Sequence, residues 1–135
     1  MSTSSRKRLR FDRAEVNRDG SQCRVRVTFT LGEEIVRTEA TDSMDGSGPL
    51  KAAAVATLKA VQESAASRFT CSLSDLDHVS ALGKSLIAVL VDVNFQGRDQ
   101  QVFGSCQIAG AETDCAVKAA LNAVNRIFEL AMRDS

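Results

Sequence analysis

Tryptophan and tyrosine are absent, and six phenylalanines are the whole aromatic content. Without aromatic platforms the chain is poorly suited to stacking nucleic-acid bases. Histidine occurs once, at His78, so no His-x-His metal pair exists, nor any Ser/His/Asp or Cys/His arrangement beyond that residue. Positive and negative side chains balance at 17 each, so no whole-molecule field draws the chain to nucleic acid or to a membrane. No apolar run approaches a membrane span, and no signal-peptide core follows the first residues. Cys23, Cys71, Cys106 and Cys115 lack Cys-x-x-Cys spacing and fall in apolar or strand-like runs. They read as small buried thiols of a reducing compartment, not as a disulfide frame or a zinc site. The expectation is a cytoplasmic soluble protein that holds no metal or cofactor.

What is present is one domain's worth of chain, 135 residues, long enough to bury a core without staples. Met1–Ser5 are small and polar, and residues 1–8 read as a disordered basic tail containing Arg6, Lys7 and Arg8, followed by Arg10. A solvated strand entry accounts for that basic cluster, with nucleic-acid binding the lesser alternative. Leu9 to Val16 is loosely strand-like, and Asn17-Arg18-Asp19-Gly20 predicts a turn. Cys23, Val25, Val27 and Phe29 then alternate with polar residues at period two, the pattern of a strand with one wet face. Gly32-Glu33-Glu34 turns the chain, and Ile35 to Thr41 returns as the second arm of a hairpin.

Asp45-Gly46-Ser47-Gly48-Pro49 follows. Both glycines let the backbone turn without a Cβ penalty, and Pro49 suits the first position of a helix. Leu50, Ala54, Leu58, Val61 and Ala65 mark the buried face of that helix, which ends near 64–67. Its free N–H groups and dipole make a cradle for a small anion such as a carboxylate.

The second half replays this order. Phe69, Cys71, Leu73 and Leu76 predict a strand to about His78, and residues 80–85, with Gly83, a connector. Leu86 to Phe95 is an apolar strand, Gln96-Gly97-Arg98 a turn, and Gln101 to Ile108 a return strand. Gly110 precedes a helix from about Thr113 to Met132, with Val117, Leu121, Val124, Phe128 and Ala131 on one face. Ala53–Val61 aligns with Ala116–Val124, and the hairpin turns at Gly32 and Gly97 fall in corresponding places. The implied fold is α+β: a tandem βββα-βββα repeat with pseudo-twofold symmetry, its antiparallel sheets covered by two helices. One domain spans 9–134, in units of about 9–67 and 68–134.

Two segments carry a family likeness. Asp45-Gly46-Ser47-Gly48-Pro49-Leu50-Lys51-Ala52-Ala53 resembles the G-x-G-P-x-x-A-A segment of the C-terminal regulatory domain of α-isopropylmalate and citramalate synthases. Ala119-Ala120-Leu121-Asn122-Ala123-Val124-Asn125-Arg126 resembles that domain's closing helix, and residues 78–93 its middle strand entry. The resemblance implies a domain that dimerises and binds leucine or isoleucine, feeding back on a separate TIM-barrel catalytic domain. It implies ligand contacts at Asp45, Gly46, Gly48, Pro49 and Ala52, with Ala109, Gly110, Thr113 and Asp114 as equivalents in the second unit. The chain departs from the family at Lys84-Ser85 and in the closer placement of Thr113-Asp114 to the last helix. It is also far too short for the roughly 250 residues of a (β/α)₈ barrel. No catalytic residue is nominated: His78 stands alone, and Asp75 and Asp77 lie on a polar stretch where they read as solvated. The initial methionine suggests a free-standing protein whose partners are a second copy, a branched-chain amino acid and a separate synthase subunit. A dimerisation module without a ligand is the alternative.

Overall fold

A computed structural model describes residues 8–133, so the nominated tail through Lys7 and the last two residues lie outside it. The first unit is β1 (Leu9–Asp19), β2 (Gln22–Leu31), β3 (Glu34–Ser43) and α1 (Gly48–Ser64). The second is β4 (Phe69–Ala81), β5 (Lys84–Phe95), β6 (Arg98–Gln107) and α2 (Glu112–Arg133). Each unit forms a three-stranded antiparallel sheet in sequential order, followed by its helix. The α+β repeat expected from the alternation is therefore the observed fold.

Alternation is what makes the sheets one-sided. On β2 the side chains of Cys23, Val25, Val27 and Phe29 are buried, and on β5 those of Ile87, Val89, Val91 and Val93. Each sheet lays that apolar face on its own helix, and the helices pack against each other. In addition β4 touches α1 and β1 touches α2, so the first strand of each unit reaches the helix of the other. A bulge interrupts both first strands at the same distance from the hairpin, between Phe11 and Arg13 and between Leu73 and Asp75. Such a bulge bends the strand. The half of β4 before its bulge meets α1 through Cys71, whose N–H donates to Gln62 Oε1 at 2.8 Å.

Alanine fills much of both helices' buried faces: Ala52, Ala53, Ala54, Ala56 and Ala60 in α1, Ala116, Ala119, Ala120 and Ala123 in α2. The stripe expected on α1 is buried throughout, but burial extends well beyond it. α1 is enclosed by its own sheet, by β4 and by α2, so a single amphipathic stripe understates it. Leu121, expected on the core face of α2, is only half-buried.

Two expected loops are shorter than their composition suggested. β1 runs through Asn17, Arg18 and Asp19, paired with Arg24, Cys23 and Gln22, and the turn is Gly20-Ser21. The expected connector at 80–85 is a two-residue turn, Leu82-Gly83, with φ of +53° and +75°. In both places the hairpin ends stand in solvent, where polar residues pair through the backbone without any apolar signal. Gly32 and Gly97 are not strict equivalents either. Glycine comes first in the turn Gly32-Glu33 and second in Gln96-Gly97, where both residues have positive φ as a type I′ turn requires.

Candidate functional site

The structure gathers Asp45, Gly46, Gly48, Pro49 and Ala52 at the entrance to α1. Met44 N–H donates to Ser21 O at 2.9 Å, Asp45 N–H to Ser43 Oγ at 3.0 Å, and Gly48 N–H to Asp45 O at 3.1 Å. Gly46 has φ +59° and open space around it, so its glycine is demanded by conformation alone. Gly48 is different, because no positive φ is needed there. A Cβ on it would overlap the Ser43 carbonyl, so this glycine permits a close approach and not a hinge. Pro49 lies in the first helical turn and is half-buried, Asp45 and Gly46 are exposed, and Ala52 is 1% exposed. The first turn carries no acidic residue, and the Ser47 side chain makes no capping bond. The first turn of α1 thus holds no acidic side chain of its own, and Asp45, just ahead of it, is the nearest carboxylate in sequence.

Ala109, Gly110, Thr113 and Asp114 gather at the entrance to α2. Ala109 and Gly110 are exposed, Thr113 and Asp114 half-buried inside the helix. Here the first turn already holds two carboxylates, Glu112 and Asp114. His78 Nε2 lies 3.2 Å from Glu112 Oε1, which accounts for the single histidine as a strand-to-helix tie. An incoming carboxylate is welcome at the first tip and opposed at the second.

Two of the open depressions among the described residues lie elsewhere, and neither includes a residue of either glycine loop. One, of about 480 Å³, is bordered by Thr70, Ser72, Asp92, Asn94, Asp99 and Gln101 among others. Its acids are engaged: Asn94 Nδ2 donates to Asp99 at 2.7 Å and Gln101 Nε2 to Asp92 at 2.8 Å. The other, of about 490 Å³, lies where the start of β3 meets the last turns of both helices. Leu31, Ile35, Arg37, Glu63, Ser64 and Met132 border it. None of these was singled out in the sequence, because they come from four separate elements and share no motif.

No group of three or more His, Cys, Asp or Glu able to hold a metal occurs among the described residues. The cysteines are free; Cys23 and Cys115 are buried as expected, whereas Cys71 and Cys106 are only half-buried. Burial pushes the Cys71 thiol up to about 11. Burial, then the neighbouring Cys106, does the same to Cys115, so both remain protonated at neutral pH. No helix among the described residues is long and apolar enough to cross a membrane.

No protein-family model matches this chain, and no curated protein matches it. The reading of what it does therefore stands on its residues and their arrangement.

Proposed function

We propose that the chain is a cytoplasmic, non-catalytic regulatory domain of the kind found at the C-terminus of α-isopropylmalate synthases. It dimerises, binds leucine or isoleucine, and carries that signal to a separate synthase catalytic subunit. The observation that supports this reading is the duplicated βββα unit, repeated down to the bulge and the bond that closes each helix entry. Met44 N–H donates to Ser21 O in one unit and Ile108 N–H to Ser85 O in the other, both at 2.9 Å. The tip of α1, whose first turn holds no acidic residue, is the seat for a carboxylate that the sequence nominates. Calorimetric titration of the purified protein with leucine, isoleucine and valine tests the proposal. Heat at micromolar to millimolar ligand is the expected result, and silence with all three removes the ligand.

A second reading, a dimerisation module without a ligand, draws on the same geometry. Ala52 is closed off at 1% exposure, Gly48 is filled against Ser43, and Glu112 and Asp114 occupy the tip of α2. A dimer by light scattering together with a silent titration selects that reading.

A further inference from the structure

Two of the four cysteines meet where β6 gives way to α2. The Cys115 thiol donates to the Cys106 carbonyl at 3.1 Å, which sets the two residues side by side. Their side chains interact as well: burial first, then a hydrogen bond with the Cys106 side chain, raises the Cys115 thiol to about 11. The two differ in access. Cys115 is 3% exposed, whereas Cys106 is half-buried and its thiol lies 3.5 Å from the Gln107 carbonyl in an exposed contact. Gly110, in the short connection between them, has φ +89° and open space around it, so that connection can adjust.

The pairing is particular to this place. Cys23 and Cys71 are bonded to unrelated carbonyls, those of Ser43 at 3.7 Å and Leu58 at 3.6 Å. In the first unit, counted from the hairpin and along the matched helices, Asp42 and Ala52 stand where the second has Cys106 and Cys115.

We propose that Cys106 and Cys115 form a reversible dithiol–disulfide site, oxidised by hydrogen peroxide, that ties the end of β6 to the first turns of α2. Half-exposed Cys106 meets the oxidant. Its sulfur attacks one peroxide oxygen, the O–O bond breaks, and the other oxygen leaves as water with the thiol's proton, which gives a sulfenic acid. The Cys115 sulfur then attacks that sulfur. An S–S bond forms, the S–O bond breaks, and a second water leaves with the Cys115 proton. The two thiols surrender two electrons in all, and the peroxide is reduced to two waters. A small dithiol reverses the step by exchange and becomes a disulfide itself. Because Cys115 is shielded and holds its proton, closure is slow at neutral pH.

The closed ring encloses Ala109, Gly110, Thr113 and Asp114, together with Glu112 and its tie to His78. Oxidation therefore stiffens the entrance of α2 and leaves that of α1 untouched. The proposal is independent of amino-acid binding, and either can fail without the other.

Peptide mapping of the full chain tests it, with free thiols blocked after exposure to hydrogen peroxide. Trypsin leaves Cys106 and Cys115 in one peptide, 99–118, because no Lys or Arg lies between Arg98 and Lys118. That peptide is expected two hydrogens lighter and unblocked, and restored by dithiothreitol, while Cys23 and Cys71 are blocked as free thiols. Closure should quicken severalfold from neutral to mildly alkaline pH. The urea midpoint should rise on oxidation and return on reduction, and the Cys106→Ser protein should show neither change. Cys106 carried on to sulfinic acid beside a free Cys115 overturns the proposal. So does a bridge to Cys23, Cys71 or another chain, or survival of all four thiols. A bridge that forms without moving the midpoint overturns the tie between β6 and α2.

Discussion

The two βββα units are alike where they touch each other and unlike where they meet water. On the outer face of the first sheet, β2 presents Arg24, Arg26 and Thr28, and Arg37 lies beside Thr28 on β3. Counted from the same hairpin turn, the corresponding residues of the second sheet are Ala88, Leu90, Asp92 and Gln101, and Phe103 stands where the first sheet has Glu39. Phe103 stands 66% exposed, whereas Arg24 and Arg26 share Glu39 at 3.5 and 3.3 Å. Inside, valines and alanines repeat almost position for position. The lesson is that the duplicated core preserves the fold, while the surfaces and helix ends are free to diverge into different chemistry.

Even the core is not fully equivalent, and one of the two largest expected effects exploits that. Gly104 on β6 and Ala40 on β3 occupy the same place counted from their hairpins. A Cβ on Gly104 would overlap the backbone of Ala119 and Ala123 in α2, whereas Ala40 carries its methyl at 8% exposure. Gly104→Ala should therefore cost about 3 kcal/mol in urea unfolding. Ala40→Gly should cost only about 1 kcal/mol, from lost packing and added backbone freedom. Equal costs would show that the helices sit at the same height over both sheets.

Truncation of Phe29, fully buried and tilted against Phe11 with ring centroids 6.1 Å apart, should cost about 3 kcal/mol or more in the same measurement. If the units fold as one cooperative domain, far-UV and near-UV probes will lose structure together in that variant. Separate transitions would break the picture of a shared core.

Two buried threonines of the first sheet should respond in opposite directions. The Thr38 hydroxyl donates to the Ala56 carbonyl of α1 at 2.6 Å, and Thr38→Val should lose about 1 kcal/mol. Thr28 is 4% exposed and its hydroxyl has no partner among the described residues. Thr28→Val should be neutral or stabilising by up to about 1 kcal/mol, because it replaces a buried hydroxyl that has no partner with a methyl group of similar size. A clear loss in Thr28→Val would mean that hydroxyl is engaged in solution.

The smallest effect concerns pH. Cys71 and Cys115 have thiols raised from 9.0 to about 11 in the folded protein, chiefly by burial. The folded state holds those protons more tightly than the unfolded chain. Their contribution is complete below about pH 9 and is lost as pH rises toward 11. The urea midpoint should decline from pH 8 to pH 10.5, and the Cys71→Ala/Cys115→Ala protein should decline less over the same range. Parallel declines would assign the loss to other groups.

Much of the fold was legible because the sequence states its periods plainly. The period-two run Cys23–Phe29, its echo in Leu86–Phe95 and the matching Ala53–Val61 and Ala116–Val124 segments define two repeated units. Polar hairpin ends were not legible, since Asn17–Asp19 and Ser80–Ala81 pair through backbone groups that every residue possesses. The glycine loop was recognisable as a helix entry, but Gly48 proved to be a matter of contact with Ser43 and not of turning.

By itself, then, the sequence determined the order of strands and helices, the one-sidedness of the sheets and the duplication, all of which are local patterns of side-chain polarity. Tertiary structure alone decided that α1 would be enclosed nearly all round and that His78 of β4 would meet Glu112 at the tip of α2. It also decided that Arg37, Glu63 and Ser64 would meet at one rim. Those outcomes depend on which elements pack together across the chain, and residues distant in sequence carry no local signature of the neighbours they will acquire.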